Sequence, residues 1–456
     1  MPSESWDLRL SDVGRIVTGK TPPTSHPDYF GGDIPFVTPT DMDGRRTIAE
    51  TERYLTDAGA RSVAGSRIPA GAVMVSCIGS DMGKAAIAGR DSVTNQQINT
   101  IVVSPRYVPL FVYYNLSVRK TELRNMAVGG SAVPILNKGH FAELPIEVPP
   151  RDVQISIARI LGALDDKIEL NRKMNETLEQ TARAIFKSWF VDFEPFRDKG
   201  MVDSPLGKIP KGWSSQALYD CADFVNGAAY SDIDFSGDRS GLPVVKISEL
   251  KDGITAQTKF TNGNLGARYR INSGDMLYSW SGSPDTSLDV FVWMGGPAWL
   301  NQHIFRVDLP HSRSRCFVYL LLRTLKSRLI EIARDKQTTG LGHVTARDMK
   351  ELLVVMPPHQ VLAGFEERVG ALYDRRLAND TESRTLAAIR DALLPKLMSG
   401  EIRTTSDEVR SANCEKQDGR DTNDERRTTR CEVRTARGRT GGIRTRSDEV
   451  RSANDE

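Results

Sequence analysis

The chain has 456 residues, 39% of them hydrophobic, and its 61 basic side chains nearly balance 59 acidic ones. This length predicts two or three domains, and the near-neutral charge excludes a globally basic surface, so any nucleic-acid binding must depend on local patches. No apolar run approaches the roughly 18 residues of a membrane helix. Residues 1–10 (MPSESWDLRL) lack the basic start and apolar stretch of a secretory signal.

The first motif along the chain is GRIVTGKT at 14–21, which matches the phosphate-binding pattern Gly-x-x-x-x-Gly-Lys-Thr. A working nucleotide loop needs a helix that opens at its lysine. Pro22, Pro23 and Pro27 follow instead, and prolines disrupt helices. We therefore interpret this motif as an apolar strand that ends in a turn at Gly19.

The cysteines are five in number and scattered, with no Cys-x-x-Cys pair: Cys77, Cys221, Cys316, Cys414 and Cys431. This pattern argues against a disulfide framework and a zinc site, and it predicts a reducing, cytoplasmic environment. The six histidines also lack metal-ligand spacing. We expect no metal on this chain.

The chain repeats itself. Residues 148–171 (VPPRDVQISIARILGALDDKIELN) align without a gap with 356–379 (MPPHQVLAGFEERVGALYDRRLAN). Earlier segments repeat in the same order: 34–37 matches 242–245, and 95–98 (NQQI) matches 301–304 (NQHI). A repeat this long indicates a duplicated domain. The order is therefore module, helix, module, helix. Gly19 corresponds to Gly227, whose copy lacks the lysine and the threonine.

Both Pro-Pro pairs precede a helical pattern. In the first helix the seam residues alternate steps of four and three: Ile157, Leu161, Leu164, Ile168, Asn171, Asn175, Leu178, Ala182, Ile185 and Trp189. This spacing is typical of a coiled coil, and a helix over 152–190 would run about 58 Å at roughly 1.5 Å per residue. The second seam is less regular: Phe365, Val369, Leu372, Leu386, Ile389, Leu393 and Leu397.

Both helices turn polar in the middle, at Asn171 and Asn175 in one and at Asn379 and Ser383 in the other. An antiparallel pair would bring these residues together, where buried polar groups fix register. Alternatively, they face water in a poorly sealed seam. The first helix ends in five large aromatics within 186–196. These either attach the helix to the second module or form a partner-binding surface.

We find no catalytic motif. The Pro-Pro pairs do not follow the Asn or Asp that a self-contained methyltransferase would show, and Gly340-Leu341-Gly342 follows no convincing strand. The segment Glu249-Leu250-Lys251 has only half of a nuclease motif. We therefore expect a binding protein without catalytic residues.

Segments 160–168 (ILGALDDKI) and 186–193 (FKSWFVDF) closely resemble the first helix of the DNA-specificity subunit of type I restriction–modification systems. The resemblance covers residues 1–400 and combines motifs, their order and the duplication. It implies an α+β fold with two duplicated α/β target recognition domains and two long helices that pair as an antiparallel coiled coil. The expected division is recognition domain 1–147, spacer helix 148–195, recognition domain 196–355, spacer helix 356–400 and a tail at 401–456.

The resemblance also implies a function. Each recognition domain reads one half of a bipartite site in double-stranded DNA, and the helices set the spacing. Two modification subunits, which are adenine-N6 methyltransferases, dock on this frame, and restriction/translocase subunits join them. S-adenosylmethionine, ATP and Mg²⁺ are then expected on those partners and none on this chain. Independently, two like modules on antiparallel helices suit half-sites about 34–36 Å apart. The alternatives are a two-module structural or regulatory DNA-binding adaptor and an enzyme.

Candidate DNA contacts are polar and basic residues in loops beside strands, because such groups reach phosphates and base edges. In the first module they are Lys20, Arg45, Arg46, Lys84, Gln96, Gln97, Asn137 and Lys138. In the second they are Lys246, Arg268, Arg270, Gln302, His303, Lys336, His343 and Arg347. Each has the alternative of being an ordinary solvated side chain. The glycine-containing loops 129–131 and 338–340 suit close backbone approach.

Spacer and partner-binding candidates come from the helices and the aromatic segment: Leu161, Leu164, Asn171, Asn175, Leu178, Trp189, Phe190, Phe193, Leu372, Asn379 and Leu386.

The C-terminal segment 401–456 differs in composition. It has no aromatic residue, and its 13 basic and 13 acidic side chains cancel. Such a segment cannot bury a core and is expected to be disordered. The octapeptide SDEVRSAN at 406–413 recurs at 447–454, and we assign it no function.

Overall fold

Two long helices organise the structure. The first, Arg151–Phe190, and the second, His359–Met398, have 40 residues each. This computed structural model describes residues 6–79, 81–126, 135–231, 234–310, 314–336 and 341–403. We call the residues before the first long helix the first module and those between the two helices the second module.

The long helices run antiparallel, as predicted. Along the first helix, Asp165 contacts Arg390 at 2.7 Å and Asn171 contacts Ser383 at 3.2 Å. Further along, Glu179 contacts Arg376 at 3.6 Å. The residue numbers contacted on the second helix therefore fall as those on the first helix rise. Pro150 and Pro358 immediately precede the helices, and proline is tolerated at helix starts. Gly400, at φ +71°, follows the end of the second helix in the left-handed conformation that glycine favours.

The first module is built from small sheets. A five-stranded sheet has the order Gly14–Thr18, Ile98–Val103, Val73–Ser76, Ala85–Ala88 and Thr47–Ile48. A four-stranded sheet has the order Tyr54–Leu55, Phe30–Val37, Ser92–Thr94 and Arg67–Ile68. Trp6–Arg9 pairs antiparallel with Pro145–Val148 and joins the start of the module to its end.

The second module repeats this plan. One four-stranded sheet has the order Asp223–Asn226, Ile304–Asp308, Met276–Ser279 and Asp289–Val292. The other has the order Phe260–Thr261, Leu242–Val245, Ala298–Leu300 and Arg270–Ile271. Three further strand pairs are Ser214–Ala217 with Leu353–Met356, Met201–Ser204 with Gly207–Pro210, and Ser281–Gly282 with Gly342–His343. The equivalent strand orders confirm the predicted duplication.

Short helices cover the sheets. The α-helices of the first module are Leu10–Val13, Asp57–Ser62, Pro109–Ser117, Lys120–Met126 and Lys138–Ala142. Those of the second are Ile247–Asp252, Pro284–Ser287, Arg315–Thr324, Lys326–Asp335 and Ala346–Glu351. Short 3₁₀ segments lie at Pro27–Tyr29, Ala64–Ser66, Glu194–Lys199, Leu218–Cys221 and Ala267–Tyr269.

Each module shares its core with both long helices. Ile157 and Leu161 of the first helix and Leu394 and Leu397 of the second are buried in the core of the first module. Their opposite ends, including Phe186 and Phe365, are buried in the core of the second module. Because apolar burial is the main stabilising force, each module is fixed to one end of the same helix pair.

Several predicted features lie outside the described residues: the loops 129–131 and 338–340, and the tail from residue 404. Within the described part of the chain, no helix is long and apolar enough to cross a membrane. In that same part, no group of three or more His, Cys, Asp or Glu side chains could hold a metal ion.

Candidate nucleic-acid interface

The same turn occurs once in each module, at Asn95-Gln96-Gln97 and at Asn301-Gln302-His303. In the first, the Asn95 side-chain oxygen accepts the Gln97 backbone N–H at 3.0 Å, and the Ile98 N–H donates to the Asn95 carbonyl at 3.1 Å. The second turn has the equivalent bonds at 3.3 and 3.1 Å. A side chain that bonds the backbone two residues on defines an Asx turn, so sequence and backbone are both duplicated here.

A glycine packs against each turn. A Cβ atom on Gly19 would lie 1.9 Å from the Asn95 carbonyl oxygen, and one on Gly227 would lie 2.2 Å from that of Asn301. Any larger residue would therefore displace the turn. This contact explains why the second glycine of the GRIVTGKT motif, Gly19, cannot be a larger residue. The strand Gly14–Thr18 precedes it, as predicted, and the next described element is the single 3₁₀ turn Pro27–Tyr29 rather than a helix at Lys20.

Matching hydrogen bonds surround the two turns. The Gln97 carbonyl accepts the Cys77 N–H at 2.7 Å, and the Cys77 carbonyl accepts the Leu136 N–H at 2.9 Å. In the second module the His303 carbonyl accepts the Trp280 N–H at 3.4 Å. The Trp280 carbonyl in turn accepts the Val344 N–H at 2.9 Å. The next residue in each case, Asn137 or Thr345, caps a short helix.

In the first module this network brings together five of the candidates: Lys20, Gln96, Gln97, Asn137 and Lys138. Lys20 is exposed, and its N–H donates to the Thr94 carbonyl at 2.9 Å. The Thr21 hydroxyl donates to Gln96 Oε1 at 2.6 Å. Lys84 directly precedes the strand Ala85–Ala88; its backbone N–H donates to Ser76 Oγ at 3.0 Å, and its ammonium pairs with Asp81 at 2.8 Å.

In the second module the network brings together Gln302, His303 and His343. Gln302 Nε2 lies 3.4 Å from His303 Nε2, and the His303 ring lies 5.8 Å from the Trp280 ring. His343 pairs with Ser281, the residue after Trp280. Trp280 is therefore part of this surface, and sequence reasoning missed it. The signal was a tryptophan within a run of serines and glycine at 279–283.

Other basic candidates are held elsewhere. Arg46 faces the first long helix, where it bonds Asp166 at 2.5 Å and the Gly162 carbonyl at 3.3 Å. Its neighbour Arg45 pairs with Asp43 at 2.8 Å. These partners indicate that Arg46 attaches the first module to the helix. Contact of Arg45 or Arg46 with DNA stays a prediction.

The remaining candidates of the second module have their contacts outside the second turn. The ammonium of Lys246 lies 5.3 Å from the Phe235 ring. Arg268 and Arg270 are exposed, and their carbonyls accept hydrogen bonds from Arg306 at 3.0 and 2.7 Å. Lys336 pairs with Asp348, and Arg347 pairs with Glu351 at 2.9 Å. Asp348 is buried, whereas Arg347 and Glu351 are both exposed. Exposed ion pairs contribute little to stability, so Arg347 can exchange partners.

The polar residues of the helix seam meet at the middle of the pair. Asn171 and Asn379 are 0% and 1% exposed, so neither faces water. Asn171 donates to Glu382 at 2.9 Å and to Ser383 at 3.2 Å. Asn379 donates to Asn175 at 2.8 Å, and Asn175 donates to Asp380 at 2.7 Å. Such bonds form only in one alignment of the helices.

The apolar candidates of the seam line the same interface. Leu161 is buried, and four others are half-buried: Leu164, Leu178, Leu372 and Leu386. Of the aromatic candidates, Phe190 is buried, and its ring centroid lies 4.8 Å from that of Phe365 and 4.9 Å from that of Phe317. Trp189 and Phe193 pack against the same core. The aromatic segment therefore attaches the first helix to the second module.

Comparison with known proteins finds similarity to specificity subunits of type I restriction enzymes. The family described as "Type I restriction modification DNA specificity domain" matches residues 2–180. The type I restriction enzyme MjaIX specificity subunit of Methanocaldococcus jannaschii is 30% identical over 411 residues, 88% of this chain and 94% of that protein. The HindI specificity subunit of Haemophilus influenzae is 25% identical over 367 residues, 67% of this chain and 79% of that protein.

Among solved structures, the type I restriction–modification S subunit from M. genitalium superimposes with a TM-score of 0.52 at 14% identity, covering 87% of this chain and 96% of that one. At this identity the likeness concerns the fold alone. The fold therefore defines a class of proteins in which two similar α/β modules lie at opposite ends of an antiparallel helix pair. The 30% identity over most of both chains shows that this chain belongs to the family of type I restriction enzyme specificity subunits.

Proposed function

We propose that this chain selects a bipartite site in double-stranded DNA, with each module reading one half and the long helices setting the distance between halves. The observation that carries this proposal is the pair of equivalent turns, one in each module, on a single antiparallel helix frame. Each helix of 40 residues extends about 60 Å at roughly 1.5 Å per residue. This length suffices to hold two readers about one DNA turn, roughly 34–36 Å, apart.

The partners in this proposal are two adenine-N6 methyltransferase subunits that dock on the helix frame, joined by restriction/translocase subunits. The exposed side of the helices offers apolar contacts, since Leu170 of the first helix and Ile389 of the second are 54% and 44% exposed. In this proposal these two side chains contact the partner subunits and are covered in the assembled complex.

In this proposal the chain is itself non-catalytic. S-adenosylmethionine belongs to the methyltransferase subunits, and ATP and Mg²⁺ belong to the restriction subunits. The chain contributes shape, hydrogen-bond donors and acceptors, and local positive charge, and it works in the cytoplasm with the DNA.

The test is to express the chain with its methyltransferase subunits and to map N6-methyladenine across a genome. We expect methylation at a motif of two specified halves separated by a fixed unspecified spacer. A continuous motif, or none with an assembled complex, would contradict the proposal and favour an adaptor outside restriction–modification.

The role of the helices has its own test. One additional heptad inserted in both helices, beside Asn175 and beside Asn379, adds about 10 Å, or roughly three base pairs. We expect the methylated spacer to lengthen accordingly while both halves stay the same. The control is an alanine substitution at exposed Gln180 of the first helix, which leaves the length unchanged. An unaltered spacer in the lengthened protein would exclude the spacing role.

A further inference from the structure

We propose that residues 97 and 303 occupy equivalent base-reading positions, so that Gln97 determines one base of one half-site and His303 one base of the other. This inference rests on the proposed function and names the residues that would carry its specificity. It starts from the two turns, which have the same backbone hydrogen bonds and the same Asn and Gln but differ at the third residue.

The hydrogen bonds of the first turn fix which end of each amide points outward. Asn95 Oδ1 accepts the Gln97 backbone N–H at 3.0 Å, so Asn95 Nδ2 points the other way and meets Gln97 Oε1 at 3.0 Å. An amide NH₂ only donates, and an amide oxygen only accepts. Gln97 therefore holds Asn95 with its oxygen and leaves its NH₂ group for an external partner.

The neighbouring Gln96 has the same polarity. Its Oε1 accepts the Thr21 hydroxyl at 2.6 Å, which again leaves the NH₂ group outward. The first turn therefore offers hydrogen-bond donors. In the major groove, guanine and thymine present acceptors, and adenine presents one at N7. Cytosine presents only a donor. We expect Gln97 to select a base with an acceptor and to reject cytosine.

The second turn has a different chemistry on the same backbone. His303 replaces the glutamine, its ring lies 5.8 Å from that of Trp280, and its Nε2 lies 3.4 Å from Gln302 Nε2. Trp280 is itself held by a bond from its Nε1 to Asn226 Oδ1 at 3.2 Å. In the first module, Cys77 occupies the position that Trp280 has in the second. The two turns therefore differ at two positions, with Gln97 in place of His303 and Cys77 in place of Trp280.

The decisive variant is Gln97→Glu. A carboxylate keeps the shape of the side chain, accepts from Asn95 Nδ2 with one oxygen and presents the other as an acceptor. Carboxylates accept from the amino group of cytosine. We expect the preferred base at one position of one half-site to change by about tenfold towards cytosine. The other half-site and the spacer should be unchanged.

The reciprocal variant is His303→Gln, which places the amide of the first turn beside Asn301. It should alter one position of the other half-site only. The control is Gln257→Glu, the same chemical change in an exposed loop of the second module. The assembled complex with methyltransferase subunits is given a DNA library with randomised half-sites, and both methylated and bound sequences are read.

The outcomes are distinct. A change confined to one position of the expected half-site supports the proposal. The same motif at wild-type rates in both variants, or an equal loss of discrimination in both halves, overturns it. If Gln97→Glu methylates nothing, the bound sequences decide by the same criteria. A wild-type complex without a bipartite motif would instead refute the proposed function.

Discussion

The two modules share a fold but are attached to the long helices by different chemistry. At the first-module joint, Tyr114 donates to Asp165 at 2.6 Å, and Asp165 pairs with Arg390 of the second helix at 2.7 Å. At the second-module joint, Phe186, Phe190, Phe317 and Phe365 form a cluster of ring contacts. The first joint has a directional polar network set in an apolar core, and the second combines aromatic packing with the ion pair of Glu179 and Arg323 at its edge.

The difference has physical consequences. Hydrogen bonds between charged groups have strict geometry, so the first joint tolerates little change in how the module meets the helices. Aromatic packing depends more on volume than on direction. The second joint should therefore lose more when a ring is removed, and the first when a charge is removed. The following substitutions are ordered by expected effect.

Phe190→Ala should have the largest effect. It removes a buried ring from the second joint and leaves a cavity, which costs about 3–5 kcal/mol of unfolding free energy. Urea unfolding followed by tryptophan fluorescence measures it. Leu206→Ala, at a side chain 43% exposed, is the control and should change stability by less than about 0.5 kcal/mol. Equal losses in the two variants would contradict a packed aromatic joint.

Asp165→Asn should lower the unfolding free energy by about 3 kcal/mol, because it removes the buried carboxylate partner of Arg390 and leaves that arginine to pair with the exposed Asp391. Asp166→Asn is the matched control on the same helix. Asp166 is 69% exposed and pairs with Arg46, so its loss should cost about 0.5 kcal/mol. If the two substitutions cost the same, the first joint would not depend on its buried ion pair.

Glu179→Gln should weaken the edge of the second joint and change its pH dependence. Burial alone would raise the pKa of Glu179, but the charge and hydrogen bond of Arg323, with Arg376 and Arg183, hold that pKa below its ordinary 4.5. A lowered carboxyl pKa contributes stability above pH 4.5 that is lost as pH falls through the folded-state pKa.

The Glu179→Gln variant should therefore be about 2 kcal/mol less stable at pH 7 and should lose less stability below pH 4.5. Urea unfolding at a series of pH values measures both effects. Asp380 opposes this trend, because burial raises its pKa and its contribution is lost as pH rises. Exposed Glu176→Gln is the control and should preserve the wild-type acid dependence. An unchanged acid dependence in the Glu179 variant would contradict the assignment.

Asn171→Leu should have the smallest effect on stability, and with the opposite sign. Replacing a buried polar group by an apolar one should raise the unfolding free energy by about 1 kcal/mol. It also removes the bonds to Glu382 and Ser383 that favour one helix alignment. Thermal melting and the spacer of the methylated motif measure the two results. Gln180→Ala, at an exposed side chain of the same helix, serves as control. Unchanged stability with an unchanged spacer in the Asn171 variant would exclude the register role.

Much of the fold could be predicted because its signals are local or repeated. The Pro-Pro starts, the seam spacing and the gapless match of 148–171 with 356–379 predicted both helices and the duplication. The polar middles also predicted which parts of the helices would meet, and Asn171 and Asn379 lie together in the structure. Each of these features depends on spacing along one segment or on comparison of two segments.

The candidate interface was less accessible from sequence, because residue type does not show where a side chain's partner lies. Arg46 was chosen for its charge, but its guanidinium donates a hydrogen bond to Asp166 of the first long helix, 120 residues later in the chain. Trp280 was missed because nothing near it in sequence shows that it lies beside His303. Thr21 was also passed over, although its hydroxyl sets the orientation of Gln96.

The sequence alone therefore determined the helices, the repeat and the family resemblance, since these depend on periodicity and on segments that match each other. The tertiary structure decided why the glycine of GRIVTGKT is required. A strand ends there against the carbonyl of Asn95, leaving no room for a Cβ atom. It also decided which amide groups of the two turns face outward. Both results depend on contacts between segments far apart in the chain, which only the folded arrangement brings within a few ångströms.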